Sequence, residues 1–90
     1  MIELGRLVAT DGVAAWYDND IHKYRSILTC VDRHESGDWG EVDQEDWQTN
    51  DYSVKNGLRI LSSYTINDEK IWIITEADRS VTTVLFPSEY

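Results

Sequence analysis

The chain has 90 residues, with 17 Asp and Glu against 8 Lys and Arg, and a net charge of −9. Ninety residues make one domain, residues 1–90, which buries roughly 60% of its unfolded surface. The 41% hydrophobic content, with four Trp and five Tyr, sets the chain apart from disordered acidic tails. The charge argues against direct binding to DNA, RNA or an anionic membrane, because such binding draws on clustered Lys and Arg, and the sequence has no such cluster.

The opening MIELGRLVAT lacks the basic segment and long apolar run of a signal peptide. No stretch approaches the ~20 apolar residues of a membrane-spanning helix. Cys30 is the single cysteine, so an internal disulfide and a Cys-rich zinc framework are both excluded. These features predict a cytoplasmic protein, or one released into the cytosol of a host.

In chain order, residues 4–10 (LGRLVAT) read as a short first strand, and residues 13–17 as a helical turn capped by Thr10 or Asp11. Asp18-Asn19-Asp20 breaks the chain with N-cap residues. Ile21, Tyr24, Leu28 and Val31, widened by Ile27, then recur at helical spacing and predict an amphipathic helix of about four turns, ending near residues 34–37. The following helix starts at Asp43 as N-cap, with Glu45 and Asp46 in its dipole-favoured first turn. Val42 and Trp47 stand at the spacing of a hydrophobic staple, and Gly57 at the terminating position. Residues 58–66, 70–75 and 81–86 read as three strands of an antiparallel meander with short turns. The predicted architecture is α+β: N-terminal helices packed on a three- to four-stranded antiparallel sheet, formed mainly by the C-terminal third and joined by the N-terminal strand if there are four.

The stretch HESGDWGEVDQEDW, residues 34–47, gathers Glu35, Asp38, Glu41, Asp43, Glu45 and Asp46 around Trp39 and Trp47, with no Lys or Arg. The plain interpretation is helix-start charges, solvated carboxylates and a Trp39 that plugs a gap between helix and sheet. The functional one makes Trp39, Asp38, Glu41, Asp43, Glu45 and Asp46 a contact surface for a partner protein. Titratable residues suggest a second option, a pocket formed by His34, Arg59, Glu76, Asp78 and Arg79, or by His34 and Asp38 with Arg59 and Arg79. His34 is the best-placed base of that set, although a His at a helix end often serves free carbonyls. The TEADRS turn (residues 75–80) is either held by Asp78 and Ser80 bonding to backbone or a charged loop that reads a partner. Asp18, Asp20 and His22 form D-x-D-x-H, better explained as helix caps than as metal ligands; the reading assigns no metal and no cofactor.

Three segments, H-x-S-G-D-W-G (34–40), N-G-L-R-I-L-S-S-Y (56–64) and W-I-I-T-E-A-D-R-S-V-T-T-V-L-F-P-S-E-Y (72–90), resemble a family of small bacterial proteins labelled plasmid-related or hypothetical. The likeness covers about two-thirds of the chain and implies a plasmid, phage or integrated element, with no catalytic residues to carry over. The helix after Asn19 shares no motif with it. That setting favours a small acidic, non-enzymatic binding protein, such as an anti-CRISPR or other anti-defence inhibitor. Its expected partner is a host or element-encoded protein with a basic surface, and self-association stays open. The alternative is a small enzyme or ligand-binding protein using His34, Asp38, Arg59 and Arg79.

Overall fold

The computed structural model describes residues 2–90. Strand β1 (Arg6–Ala9) leads into helix α1 (Asp11–Tyr17), helix α2 (Ile21–Glu35) and helix α3 (Gln44–Asn56). Strands β2 (Ile60–Ile66), β3 (Glu69–Thr75) and β4 (Val81–Leu85) follow, and a 3-10 turn, Pro87–Glu89, comes after them. The α+β architecture with helices first and strands last is the one the patterning predicts.

The sheet order is β1-β4-β3-β2. β2, β3 and β4 form the antiparallel meander, but β1 pairs with β4 in parallel, from Arg6↔Val81 to Ala9↔Val84. The sheet is therefore mixed, which corrects the all-antiparallel expectation. No tight turn connects β1 to β4, so nothing local dictated their relative direction. The β2–β3 turn is the two residues Asn67 and Asp68, both at positive φ (48° and 67°), the geometry that matches strand twist in a two-residue hairpin. Glu69, read from sequence as part of the break, belongs to β3.

One face of the sheet carries Tyr64, Ile66, Ile71, Ile73 and Val84, packed with Val13 of α1 and Ile27, Cys30 and Val31 of α2. A second cluster, Ile2, Trp39 and Ile60, is closed by Val42, Trp47 and Val54. The buried stripe of α2 is Ile27, Cys30, Val31 and His34. Ile21, Tyr24 and Leu28, assigned to the core stripe from sequence, are instead exposed by 54%, 41% and 38%. Two apolar stripes overlap on this helix, and the sheet covers the one that ends in His34.

Helix ends follow local chemistry. Thr10 accepts from the Val13 N–H, Asp20 from those of His22 and Lys23, and Asp43 from that of Asp46. Gly57 ends α3 in the left-handed conformation (φ 64°), with the Leu58 N–H donating back to the Ser53 carbonyl.

α3 lies against the outer strand β2 and covers its edge. The Asn50 side chain donates to the Leu61 carbonyl at 2.8 Å and accepts from the Leu61 N–H at 3.3 Å, as a neighbouring strand would. Next along the edge, Ser63 donates to the Trp39 carbonyl and accepts from the Glu41 N–H. Gly40 passes so close that an added Cβ would collide with the Ser63 carbonyl and stand 2.7 Å from the Tyr64 ring. Only glycine fits there, at φ 74°.

Candidate functional site

The other face of the sheet is covered in part by the end of the chain: Ile74 and Leu85 on it are buried, and the Pro87–Glu89 turn packs against β3. The floor of the part left open is Leu61 and Ser63 of β2 and Trp72 of β3. The stretch Glu41, Val42, Asp43 and Asp46 makes one wall, and Pro87 with Tyr90 the other. Two adjoining hollows of about 530 and 270 Å³ share Val42, Asp46 and Leu61. Together they form a groove with an apolar floor and an acidic rim.

The rim is fixed in place. Glu41 accepts from Lys70 Nζ at 2.7 Å and from Thr65 Oγ1 at 2.9 Å, and the Lys70 bond, then the Thr65 bond, holds its carboxyl below the usual range. Asp43 spends one oxygen on its helix cap. Asp46 takes part in none of the three side-chain ion pairs among the described residues. On the opposite wall the Tyr90 ring meets Trp72 edge-on at 5.6 Å. Arg59 lies 5.1 Å from the Tyr90 ring, donates to its hydroxyl at 2.6 Å and pairs with Glu76 at 3.4 Å. Of the residues singled out in the sequence, this groove brings together Glu41, Asp43, Asp46 and Arg59. Glu45 sits exposed in the first turn of α3, outside the lining.

The remaining sequence candidates have structural positions. Trp39 is 1% exposed, with its indole N–H donating to Asp51 at 2.9 Å and its ring edge-on to His34 at 5.6 Å. The contact-surface expectation for Trp39 is thereby corrected: the ring plugs the core. Asp38 pairs with Arg33 through two bonds, 2.7 and 3.3 Å, and accepts from the Gly40 N–H. These contacts, the Arg33 bond foremost, hold its carboxyl below the ordinary value. Arg33 also stacks on Tyr64, 4.9 Å away, and the Tyr64 hydroxyl donates to the Asp38 carbonyl. Asp38, Trp39 and Gly40 thus form a loop that closes the core after the end of α2.

His34 is fully buried. Its Nδ1 lies 2.5 Å from Ser62 Oγ and its Nε2 2.8 Å from Thr75 Oγ1; Thr75 meets Thr82 at 2.7 Å, and Thr82 donates to the Leu4 carbonyl. The last bond fixes the proton order. Thr82 gives its proton to Leu4, so Thr75 donates to Thr82 and accepts from His34 Nε2–H, and Ser62 donates to Nδ1. Every member is satisfied with a neutral imidazole. Burial, reinforced by the nearby Arg79 charge, lowers the His34 pKa to about 4. The expectation of a helix-end His serving free carbonyls is corrected.

Arg79 sits at φ 61° and donates to the carbonyls of Ser53, Leu58, Glu76 and Ala77, tying the β3–β4 turn to the end of α3. Asp78 accepts from the Ser80 hydroxyl and N–H. Neither predicted pocket, that of His34 with Arg59, Glu76, Asp78 and Arg79 or that of His34 and Asp38 with Arg59 and Arg79, forms: His34 is enclosed, Asp38 is engaged by Arg33, Arg79 by carbonyls, Asp78 by Ser80, and Arg59 lines the groove while pairing with Glu76. Sequence reasoning missed Leu61, Ser63, Lys70 and Trp72 as groove residues. Their alternation along two strands, which places all four on one face, was the available signal.

Among the described residues, no group of three or more His, Cys, Asp and Glu is placed to hold a metal ion. None of the described helices is long and apolar enough to cross a membrane. Comparison of the chain with protein-family models, with curated proteins and with solved structures finds no match.

Proposed function

We propose that the chain is a non-catalytic protein-binding module whose groove takes a basic segment of another protein. The observation that carries this reading is the groove itself: Leu61 and Trp72 offer apolar area on the floor, and Asp43 and Asp46 project charge along the rim of a molecule with a net charge of −9. Apolar anchoring with complementary charge is the usual division between affinity and steering in protein contacts. In the mobile-element setting that the sequence resemblance implies, the partner is a host or element-encoded protein with a basic surface. Masking the nucleic-acid channel of a defence enzyme in the cytoplasm is the form of inhibition such a module suits.

The test is capture from bacterial lysate with the wild type beside a Leu61→Arg/Asp46→Lys variant, both shown to be folded by circular dichroism. The reading expects proteins that the wild type retains at low salt, the variant loses, and moderate salt releases. Identical retention by both would refute it.

A further inference from the structure

The outer surface of α2 carries a second patch, remote from the groove in sequence and in chemistry. Ile21, Tyr24 and Leu28 recur at helical spacing yet are 54%, 41% and 38% exposed. Tyr17 extends the patch, its ring 5.3 Å from that of Tyr24. A shallow cleft of about 420 Å³ opens beside it, lined by Tyr17, Asp18, Asn19, Asp20, Ile21 and Tyr24. Contiguous exposed apolar area of this kind is a feature of contact surfaces.

The flanking charges say what fits. Arg25 and Asp32 are both exposed, and neither belongs to an ion pair among the described residues. Arg25 lies three residues before Leu28 and Asp32 four after it, about 4.5 and 6 Å along the axis in opposite directions. At roughly 100° per residue both project to the same side of the stripe. A two-fold axis beside Leu28, perpendicular to the helix, turns α2 end for end and preserves that side. Arg25 then faces Asp32 of a second copy, and Asp32 faces its Arg25, while Leu28 meets Leu28. The arrangement is self-complementary in charge and packs Leu28 on itself. α2 also holds Lys23, Arg25 and Arg33, three of the eight basic residues of an acidic chain, which lessens the repulsion between copies that meet here.

We propose that the protein forms a homodimer through antiparallel packing of α2 on α2, with Leu28 on the two-fold axis and two Arg25–Asp32 pairs across it. A single helix pair is a small interface, so the dimer is weak, with a Kd on the order of micromolar.

Sedimentation velocity over a range of protein concentrations tests this. The wild type should pass reversibly from monomer to dimer. Leu28→Lys, Arg25→Glu and Asp32→Arg, all at exposed positions, should each weaken the dimer at least tenfold while keeping the circular dichroism spectrum. An equimolar mixture of Arg25→Glu with Asp32→Arg should recover it, because each copy then supplies the partner the other lacks. A wild type that stays monomeric throughout, an assembly larger than a dimer, or a dimer that the single charge changes leave intact would each overturn the proposal. So would a mixture that does not recover.

Discussion

Asp43 and Glu41 stand two residues apart in the acidic run and hold different posts. Asp43 accepts from the Asp46 N–H at 2.8 Å, so Asp43→Ala should cost about 1 kcal/mol in chemical denaturation. Glu41 is held by Lys70 in an ion pair with both side chains about half exposed, so Glu41→Ala should cost less, within the ~0–1 kcal/mol of surface pairs. The helix cap was legible because its side-chain bond is local. The Glu41–Lys70 pair was not, because 29 residues separate the partners. Trp39→Ala should cost about 3–5 kcal/mol, seen as a large drop in melting temperature, since it empties the space between α2, α3 and β2.

His34 gives a pH prediction with a definite sign. Its folded pKa, about 4, lies below the ordinary 6.5, so the neutral form belongs to the folded state. The stability from this residue is complete above pH 6.5 and declines as pH falls toward 4, because the unfolded chain takes up the proton first. The full difference is about 3 kcal/mol. Asp38 and Glu41, depressed by ion pairs, act lower: their contribution is present above their ordinary values of 3.8 and 4.5 and is lost below them. Unfolding free energy measured between about pH 7 and pH 5 should therefore fall in the wild type and stay nearly level in His34→Gln. A level wild-type profile would mean that the buried imidazole is not kept neutral. In the sequence, His34 stands at the correct spacing from Ile27 and Val31 but reads as a candidate base or as a helix-end His serving free carbonyls. Its burial rests on Ser62, Thr75 and Thr82, which arrive from three strands.

At the scale of elements, α3 and the β2–β3–β4 meander were readable because caps, the Asn67-Asp68 turn and strand alternation are all near-neighbour signals. The face of α2 was not, because Ile21, Tyr24 and Leu28 make as good a stripe as the buried one. Which stripe is covered depends on the sheet. The direction of β1 depends likewise on where α1 and α2 return the chain. The edge of β2 is guarded by a side chain and a loop, which no periodicity reveals. Asn50→Ala should leave the Leu61 N–H and carbonyl without their partner and cost about 1–3 kcal/mol. Hydrogen exchange should then quicken at Leu61 more than at the central strand residue Ile73, and equal protection in mutant and wild type would show that the Asn50 bonds contribute little.

For the whole molecule, the organising fact is an asymmetric sheet. One face is closed by α1, α2 and the Trp39 loop; the other buries Ile74 and Leu85 and keeps a groove between the acidic start of α3 and the Pro87–Glu89 turn. The acidic run conspicuous in the sequence forms the groove's rim, but its most conspicuous residue, Trp39, faces inward. The most direct measurement is an ¹⁵N NMR titration with a peptide selected against the protein from a random phage-displayed library. The account predicts that the selected peptides combine Lys or Arg with an apolar residue, and that they shift the amide signals of Leu61, Ser63, Asp46 and Trp72. The Leu61→Arg/Asp46→Lys variant should abolish those shifts. Selected peptides that are acidic, or shifts that fall elsewhere and survive in that variant, would contradict it.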